Sequence, residues 1–109
     1  MAMEIKRYEV YLINLDPTLG SEIKKTRPCL IISPDELNAN LNTVIAAPMT
    51  TRKRGIPSRV NCKFRNKLGQ IALDQIRTVD KRRLIKKLGE MNEKTNEQVI
   101  ELLLKIFSK

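Results

Sequence analysis

The sequence contains no histidine and no tryptophan. Without histidine, the commonest general acid/base at neutral pH and the commonest zinc ligand are both missing. Cysteine is scarce: Cys29 and Cys62 are far apart and show no CxxC spacing, so neither a zinc knuckle nor a redox pair is written. Both lie in apolar stretches and are expected to pack as small hydrophobes. Met1–Val10 has no apolar leader, and two such thiols fit a reducing cytoplasm. No apolar run approaches the ~20 residues of a membrane span. Tyr8, Tyr11, Phe64 and Phe107 are the only aromatics. Four are too few for the stacking sheet of an RNA-recognition domain. Repeats and low-complexity tracts are absent as well.

One further gap is the most informative. No acidic residue occurs between Glu36 and Asp74. Residues 37–87 carry thirteen basic and two acidic side chains, a local charge of +11 within a chain of net +9. The flanks, 1–36 and 88–109, are close to neutral. Clustered cations gain free energy by displacing counterions from phosphates, so a polyanionic partner is one reading. A merely solubilising surface is the other. The chain has 109 residues, 32 of them Leu, Ile, Val or Phe, which predicts one compact domain over 1–109 with a modest core.

Glu9–Ile13 reads as a first strand, ended by Asp16-Pro17. The irregular stretch from there to Arg27 is longer than a connection needs. Cys29–Ile32 is a continuous apolar run, expected to be a strand covered on both faces. Ser33-Pro34-Asp35-Glu36 has the form of a capping box with proline at the first helical position, predicting a short helix to about Leu41. Thr43–Ala47 resumes strand character, with Pro48 expected at its end or on an edge. Arg52–Pro57 is a basic loop. Val60, Cys62 and Phe64 then alternate against Arg59, Asn61, Lys63 and Arg65, a strand with one buried face. A turn is expected at Asn66–Gly69 and a returning strand over Ile71–Ile76. Asp80 is placed to cap a short helix through Leu88. Thr95–Gln98 forms a second capping box, opening a helix to about Phe107 that is apolar around most of its circumference. Such a helix needs cover on two sides, the core and a second subunit. The expected architecture is mainly β with peripheral helices, a small bent sheet or barrel.

For an RNA partner, cleavage can use the substrate's own 2′-OH as nucleophile. What is then needed is a proton acceptor, a donor to the leaving 5′-oxygen, and donors to the phosphate's developing charge. Arginine's fork suits phosphate, and a threonine hydroxyl adds a neutral donor. Glu22 and Asp74 are the carboxylates near basic segments. The same residues also have structural roles open to them. Arg27 fits a solvated loop, Thr50 and Thr51 a strand end that satisfies backbone groups, and Glu22 an ion pair with Lys25 or Arg27. Asp74, within an apolar strand, needs a partner such as Gln75, Arg77 or a loop cation.

Three blocks decide between these readings. Asp16-Pro17-Thr18-x-Gly20-Ser21-Glu22 is followed by Arg27-Pro28 leading into Leu30-Ile31-Ile32-Ser33. Ala47-Pro48-Met49-Thr50-Thr51 comes next, and then Ala72-Leu73-Asp74-Gln75-Ile76-Arg77-Thr78-Val79-Asp80-Lys81-x-Arg83-Leu84. In this order and spacing they resemble the MazF/PemK family of toxin endoribonucleases over roughly residues 7–85. The resemblance implies a small SH3-like barrel (CcdB/MazF-type) plus a C-terminal α-helix, in a cytoplasmic homodimer. It implies cleavage of single-stranded RNA, at short preferred sequences in many members, without metal or other cofactor. A small antitoxin whose flexible acidic tail occupies the RNA groove is the implied protein partner.

Residue by residue, the resemblance places the catalytic arginine on Arg27, the catalytic threonine on Thr50 and an implicated carboxylate on Glu22. Asp74 and Gln75 match groove-lining positions, where they are expected to read base edges. Lys24, Lys25, Thr51, Arg52, Lys53, Arg54 and Arg77 complete the expected RNA contacts. Tyr8-Glu9 stands where the family commonly has Gly-Asp, and the histidine used by some members has no counterpart. A non-catalytic inhibitor of DNA gyrase on the same fold is the alternative function.

Overall fold

The computed structural model describes residues 4–109, so the reading of Met1–Val10 as lacking a leader falls partly outside the described residues. Seven strands form one antiparallel sheet: β1 (Glu9–Asn14), β2 (Thr26–Ile31), β3 (Thr43–Thr50), β4 (Arg59–Phe64), β5 (Lys67–Ala72), β6 (Arg77–Asp80) and β7 (Leu84–Glu90). The strand order is β4-β5-β3-β2-β1-β7, with β6 also paired to β3. The path is open, giving a half-barrel whose ends are β4 and β7. Helix α1 (Asp35–Asn40) follows β2, and α2 (Glu93–Phe107) closes the chain.

The central strands β1, β2 and β3 are covered on both faces, as the unbroken apolar run of β2 requires. Val10, Leu30, Ala47 and Met49 join Val60, Cys62, Ile71, Leu73 and Val99 in one core under β4, β5 and α2. Tyr11, Ile13, Cys29, Ile31, Val44 and Ala46 join Leu15, Val79 and Leu84 in a second core on the opposite face. Cys29 and Cys62 are both free and buried. Of α2, Thr95 and Val99 are buried, whereas Leu104, Ile106 and Phe107 remain exposed.

Several expectations are corrected. Strand β3 runs through Pro48 rather than ending there. Residues Thr43–Ala46 pair with β6, and Met49 and Thr50 pair with β5. The Ile32 N–H donates to the Ile45 carbonyl. By the alternation of a ladder, Pro48 therefore turns its backbone nitrogen away from β2, into the gap between β6 and β5. The missing N–H costs no ladder bond there. Ser33 does not form a capping box: its hydroxyl donates to Asn38 Oδ1 and accepts the Ile45 N–H at 2.9 Å, and Pro34 is the N-cap. The β4–β5 turn is Arg65-Asn66, both with positive φ, a two-residue hairpin turn that closes the Phe64–Lys67 pair.

Ile71–Ile76 is not one strand, because a 3-10 turn at Leu73–Gln75 separates β5 from β6. Asp80 does cap, accepting the Arg82 N–H, but the helix it caps is a single 3-10 turn, Lys81–Arg83. Leu84–Glu90 is then an edge strand on β1. Two register shifts along β7 break the alternation that would have revealed it. Lys86 and Lys87 suit an edge, and Lys87 reaches the buried Glu9 carboxylate at 2.7 Å. Helix α2 starts earlier than its apparent box, capped by Asn92, whose side chain accepts the Thr95 N–H. Tyr8, in the position commonly held by glycine, adopts φ 72° all the same. Its N–H donates to the Ile31 carbonyl at 2.7 Å and its carbonyl accepts the Met91 N–H at 2.9 Å, which hold that conformation.

Candidate nucleic-acid interface and active site

Arg27 and Thr50 are brought together by strand register. Cys29 pairs with Pro48, Leu30 with Ala47 and Ile31 with Ala46. Continuing that register two residues past Cys29 places Arg27 opposite Thr50. Both are half-buried at the mouth of the sheet. Arg27 Nε donates to the Lys24 carbonyl at 2.7 Å, which orients the guanidinium; its terminal nitrogens make no hydrogen bond among the described residues. Thr50 Oγ1 accepts the Arg52 N–H at 3.1 Å, so its hydroxyl proton stays available to donate.

Three adjoining cavities form a groove through this point. The first, of about 380 Å³, is largely apolar (Met49, Cys62, Phe64, Leu68, Leu88) and reaches Arg27, Thr50 and Thr51. The second, of about 330 Å³, shares Arg27 and Thr50 and adds Glu22, Lys24, Arg52, Arg54 and Arg59. Five cations thus face one carboxylate. The third, of about 420 Å³, shares Ser21, Glu22, Ile23 and Gln75 with the second and continues to Asp74, Ile76 and Arg77.

The walls are tied by hydrogen bonds that the sequence did not disclose. Gln75 Oε1 accepts the Ile23 N–H, and its Nε2 donates to the Ser21 carbonyl at 3.3 Å, so this side chain holds the loop after β1. Glu22 stays in the same loop, accepting the Leu19 N–H while its own N–H donates to the Leu19 carbonyl. Arg77 Nη1 donates to the Leu15 carbonyl at 3.0 Å, securing the end of β1. Buried Gln70 grips the basic loop: Oε1 accepts the Arg54 N–H at 3.0 Å and Nε2 donates to the Arg54 carbonyl at 3.1 Å.

Asp74 finds its partner in β4, not in Gln75, Arg77 or a loop cation. Arg59 Nε lies 2.7 Å from Oδ1 and Nη2 lies 3.2 Å from Oδ2. The Arg59 side chain is 4% exposed, so it is not part of the solvated face that alternation predicts. Burial would push the Asp74 carboxyl up, but the Arg59 hydrogen bonds, with backbone and Ser58 donors, hold it below the usual carboxylate range. Burial pushes the Cys29 thiol up to about 12, which leaves it protonated and unreactive. Among the described residues, no group of three or more His, Cys, Asp or Glu side chains is placed to hold a metal ion.

Most of the expected site residues therefore line one groove. Lys25 and Lys53 line none of its three cavities. Lys25 instead serves through its backbone at φ 74°, donating its N–H to Asp16 and accepting the Leu15 N–H. Arg59, Gln70 and the apolar end of the groove were missed by sequence reasoning.

The chain's similarity to known proteins covers the same elements. The family described as "PemK-like, MazF-like toxin of type II toxin-antitoxin system" matches residues 6–107. The chain belongs to this family. Endoribonuclease MazF of Staphylococcus saprophyticus is 42% identical over 101 residues, covering 87% of this chain and 84% of that protein. MazF from Deinococcus radiodurans superposes with a TM-score of 0.86 at 25% identity, covering 96% of this chain and 97% of that one. An endoribonuclease from a mycobacterial species, solved with its cognate antitoxin, superposes with a TM-score of 0.79 at 27% identity, covering 93% and 92%. In this MazF-like toxin the half-barrel with its C-terminal helix is the family fold, and Arg27 and Thr50 line both the apolar and the cationic cavity of the groove. No helix among the described residues is long and apolar enough to cross a membrane.

Proposed function

We propose that this MazF-like toxin is a metal-independent, sequence-selective endoribonuclease of single-stranded RNA, acting as one toxin domain over residues 1–109. The observation that carries the reading is the placement of Arg27 and Thr50 at the shared edge of two cavities, one of them ringed by cations. A phosphate seated there meets the terminal nitrogens of Arg27 and the Thr50 hydroxyl. Attack by the adjacent 2′-oxygen forms a new O–P bond and breaks the P–O5′ bond. Arg27 stabilises the charge on phosphorus or protonates the leaving 5′-oxygen, and Glu22, which lines the same cavity, is the carboxylate available for the 2′-OH proton. The substrate supplies the nucleophile, so the step requires no metal. Lys24, Arg52 and Arg54 track the flanking phosphates and raise affinity with little sequence preference; Asp74 and Gln75 face the base edges.

The same groove accounts for the partners. An acidic, flexible antitoxin tail fits a cationic channel and would exclude RNA from it. A cytoplasmic homodimer would cover the outer face of α2. Light scattering at micromolar concentration should give twice 12.6 kDa, and a monomer mass counts against the dimer. The enzymatic test is incubation with long single-stranded RNA in EDTA. Wild type should cut it, while Arg27→Ala and Thr50→Ala lose the cutting but keep salt-sensitive binding. Intact RNA in the wild-type reaction overturns the activity and would favour the non-catalytic gyrase inhibitor. Cutting that stops only on chelation overturns metal independence.

A further inference from the structure

Arg59 and Asp74 join the second cavity to the third by a paired side-chain contact. Arg59 lines the cationic cavity and not the third; Asp74 lines the third and not the cationic one. The guanidinium binds both carboxylate oxygens, at 2.7 and 3.2 Å. Arg59 is fixed by burial, with 4% of its side chain exposed, whereas Asp74 keeps 31%. Each carboxylate oxygen has two acceptor positions, and the fork takes one on each. The Asp74 backbone N–H and the Ser58 hydroxyl also act on this carboxylate, and the part left exposed, which lines the third cavity, is what a further donor can reach.

A carboxylate so held is an acceptor in fixed orientation. It suits a base edge that presents N–H donors: the amino group of adenine or cytosine, or the paired N1–H and N2–H of guanine. Uracil offers one N–H between two carbonyl oxygens, and those oxygens would be driven against a negative group. Gln75 is the less suited of the two, because its Oε1 already accepts the Ile23 N–H and its Nε2 already donates to the Ser21 carbonyl.

Resting on the endoribonuclease reading above, we propose that Arg59 is a positioning residue for specificity, fixing the Asp74 carboxylate so that one base near the cut must carry an amino group. Arg59 touches neither the scissile phosphate nor the base in this assignment. It acts through Asp74, and it also lines the cationic cavity.

The test is to map every cut in a long RNA by sequencing fragment ends, for wild type, Asp74→Asn, Arg59→Gln and the double variant. Wild type should disfavour uracil at one position beside the cut by about tenfold, the size expected for a hydrogen bond to a charged group. Asp74→Asn and Arg59→Gln should each reduce that preference to within about twofold, at the same position, and the double variant should add nothing further. Preferences at other positions should persist, which a general loosening of the fold would not produce. Arg59→Lys keeps the charge without the fork and should lose the same preference; it serves where Arg59→Gln does not fold. A cutting pattern in Arg59→Gln or Arg59→Lys that matches wild type, with only the total rate or melting temperature lowered, overturns the proposal. So does a wild-type pattern with no position that disfavours uracil. Absence of cutting by wild type overturns instead the endoribonuclease reading on which it rests.

Discussion

A Cβ added to Gly69 would stand 2.8 Å from the carbonyl oxygen of Thr50. No side chain larger than hydrogen fits this approach of β5 to the end of β3, because the neighbour is backbone and cannot swing away. Gly69→Ala is therefore expected to push Thr50 off its place in the groove. The rate of RNA cleavage should fall by roughly tenfold to a hundredfold, with about 1–3 kcal/mol lost in stability. Single-turnover cleavage beside a thermal melt checks both. Unchanged cleavage would show that the position of Thr50 is not critical.

Gln75 links two segments more than fifty residues apart in sequence. Gln75→Ala removes both of its hydrogen bonds and releases the Ser21–Ile23 loop. Amide hydrogen exchange at Ile23 should accelerate, and KM for RNA should rise by several-fold as Glu22 and Lys24 lose their fixed positions. An exchange rate equal to wild type would mean that other contacts hold the loop.

Arg52 and Arg54 are exposed and line the cationic cavity, with no ion pair among the described residues. Removing one cation that neutralises a phosphate of single-stranded RNA lowers the slope of log K against log salt by about 0.7. The double variant Arg52→Ala/Arg54→Ala should flatten that slope by about 1.4 and weaken binding to all sequences alike. The same measurement on Lys53→Ala should show little change, since Lys53 lines none of the three cavities.

The Cys29 thiol, raised by burial from 9.0 to about 12, sets an alkaline limit. Its folded value lies above its unfolded one. Its contribution is thus fully present below pH 9 and is lost progressively as pH rises toward 12, at most about 4 kcal/mol in all. Denaturant titrations from pH 8 to 11 should show falling stability, and Cys29→Ala should flatten that dependence. Asp74 acts at the other end. Its folded value is lowered, so its contribution is present above the usual carboxylate range and lost as pH falls through it. Asp74→Asn should remove part of the acid sensitivity.

What could be read from the chain follows from which signals are local. Strands β1, β2 and β4 were legible because apolar runs and two-residue alternation report burial directly. Strand β7 was not, because its two register shifts scramble the alternation and its lysines sit on an edge where water tolerates them. The caps of α1 and α2 were misplaced because the Ser33 hydroxyl is taken by Asn38 and Ile45, and because Asn92, three residues before Thr95, accepts the Thr95 N–H. Arg27, Thr50 and Glu22 were singled out through the family blocks, not through charge, since the basic segment begins well after Arg27. Arg59 was hidden for a different reason. Alternation says which way a strand residue faces, but not that a carboxylate fifteen residues on will fold back over it.

Gln70 holds Arg54 by its N–H and its carbonyl and leaves the side chain untouched. Almost any residue at position 54 would be gripped in the same way; proline alone lacks the N–H. The shape of the basic loop is in this sense independent of its chemistry. Variation along Arg52–Arg54 can redistribute charge over the groove, and with it the strength and salt dependence of polyanion binding, while the half-barrel beneath is left as it was. A protein built this way can tune its affinity for a polyanion by single substitutions on a loop whose anchor lies elsewhere in the chain.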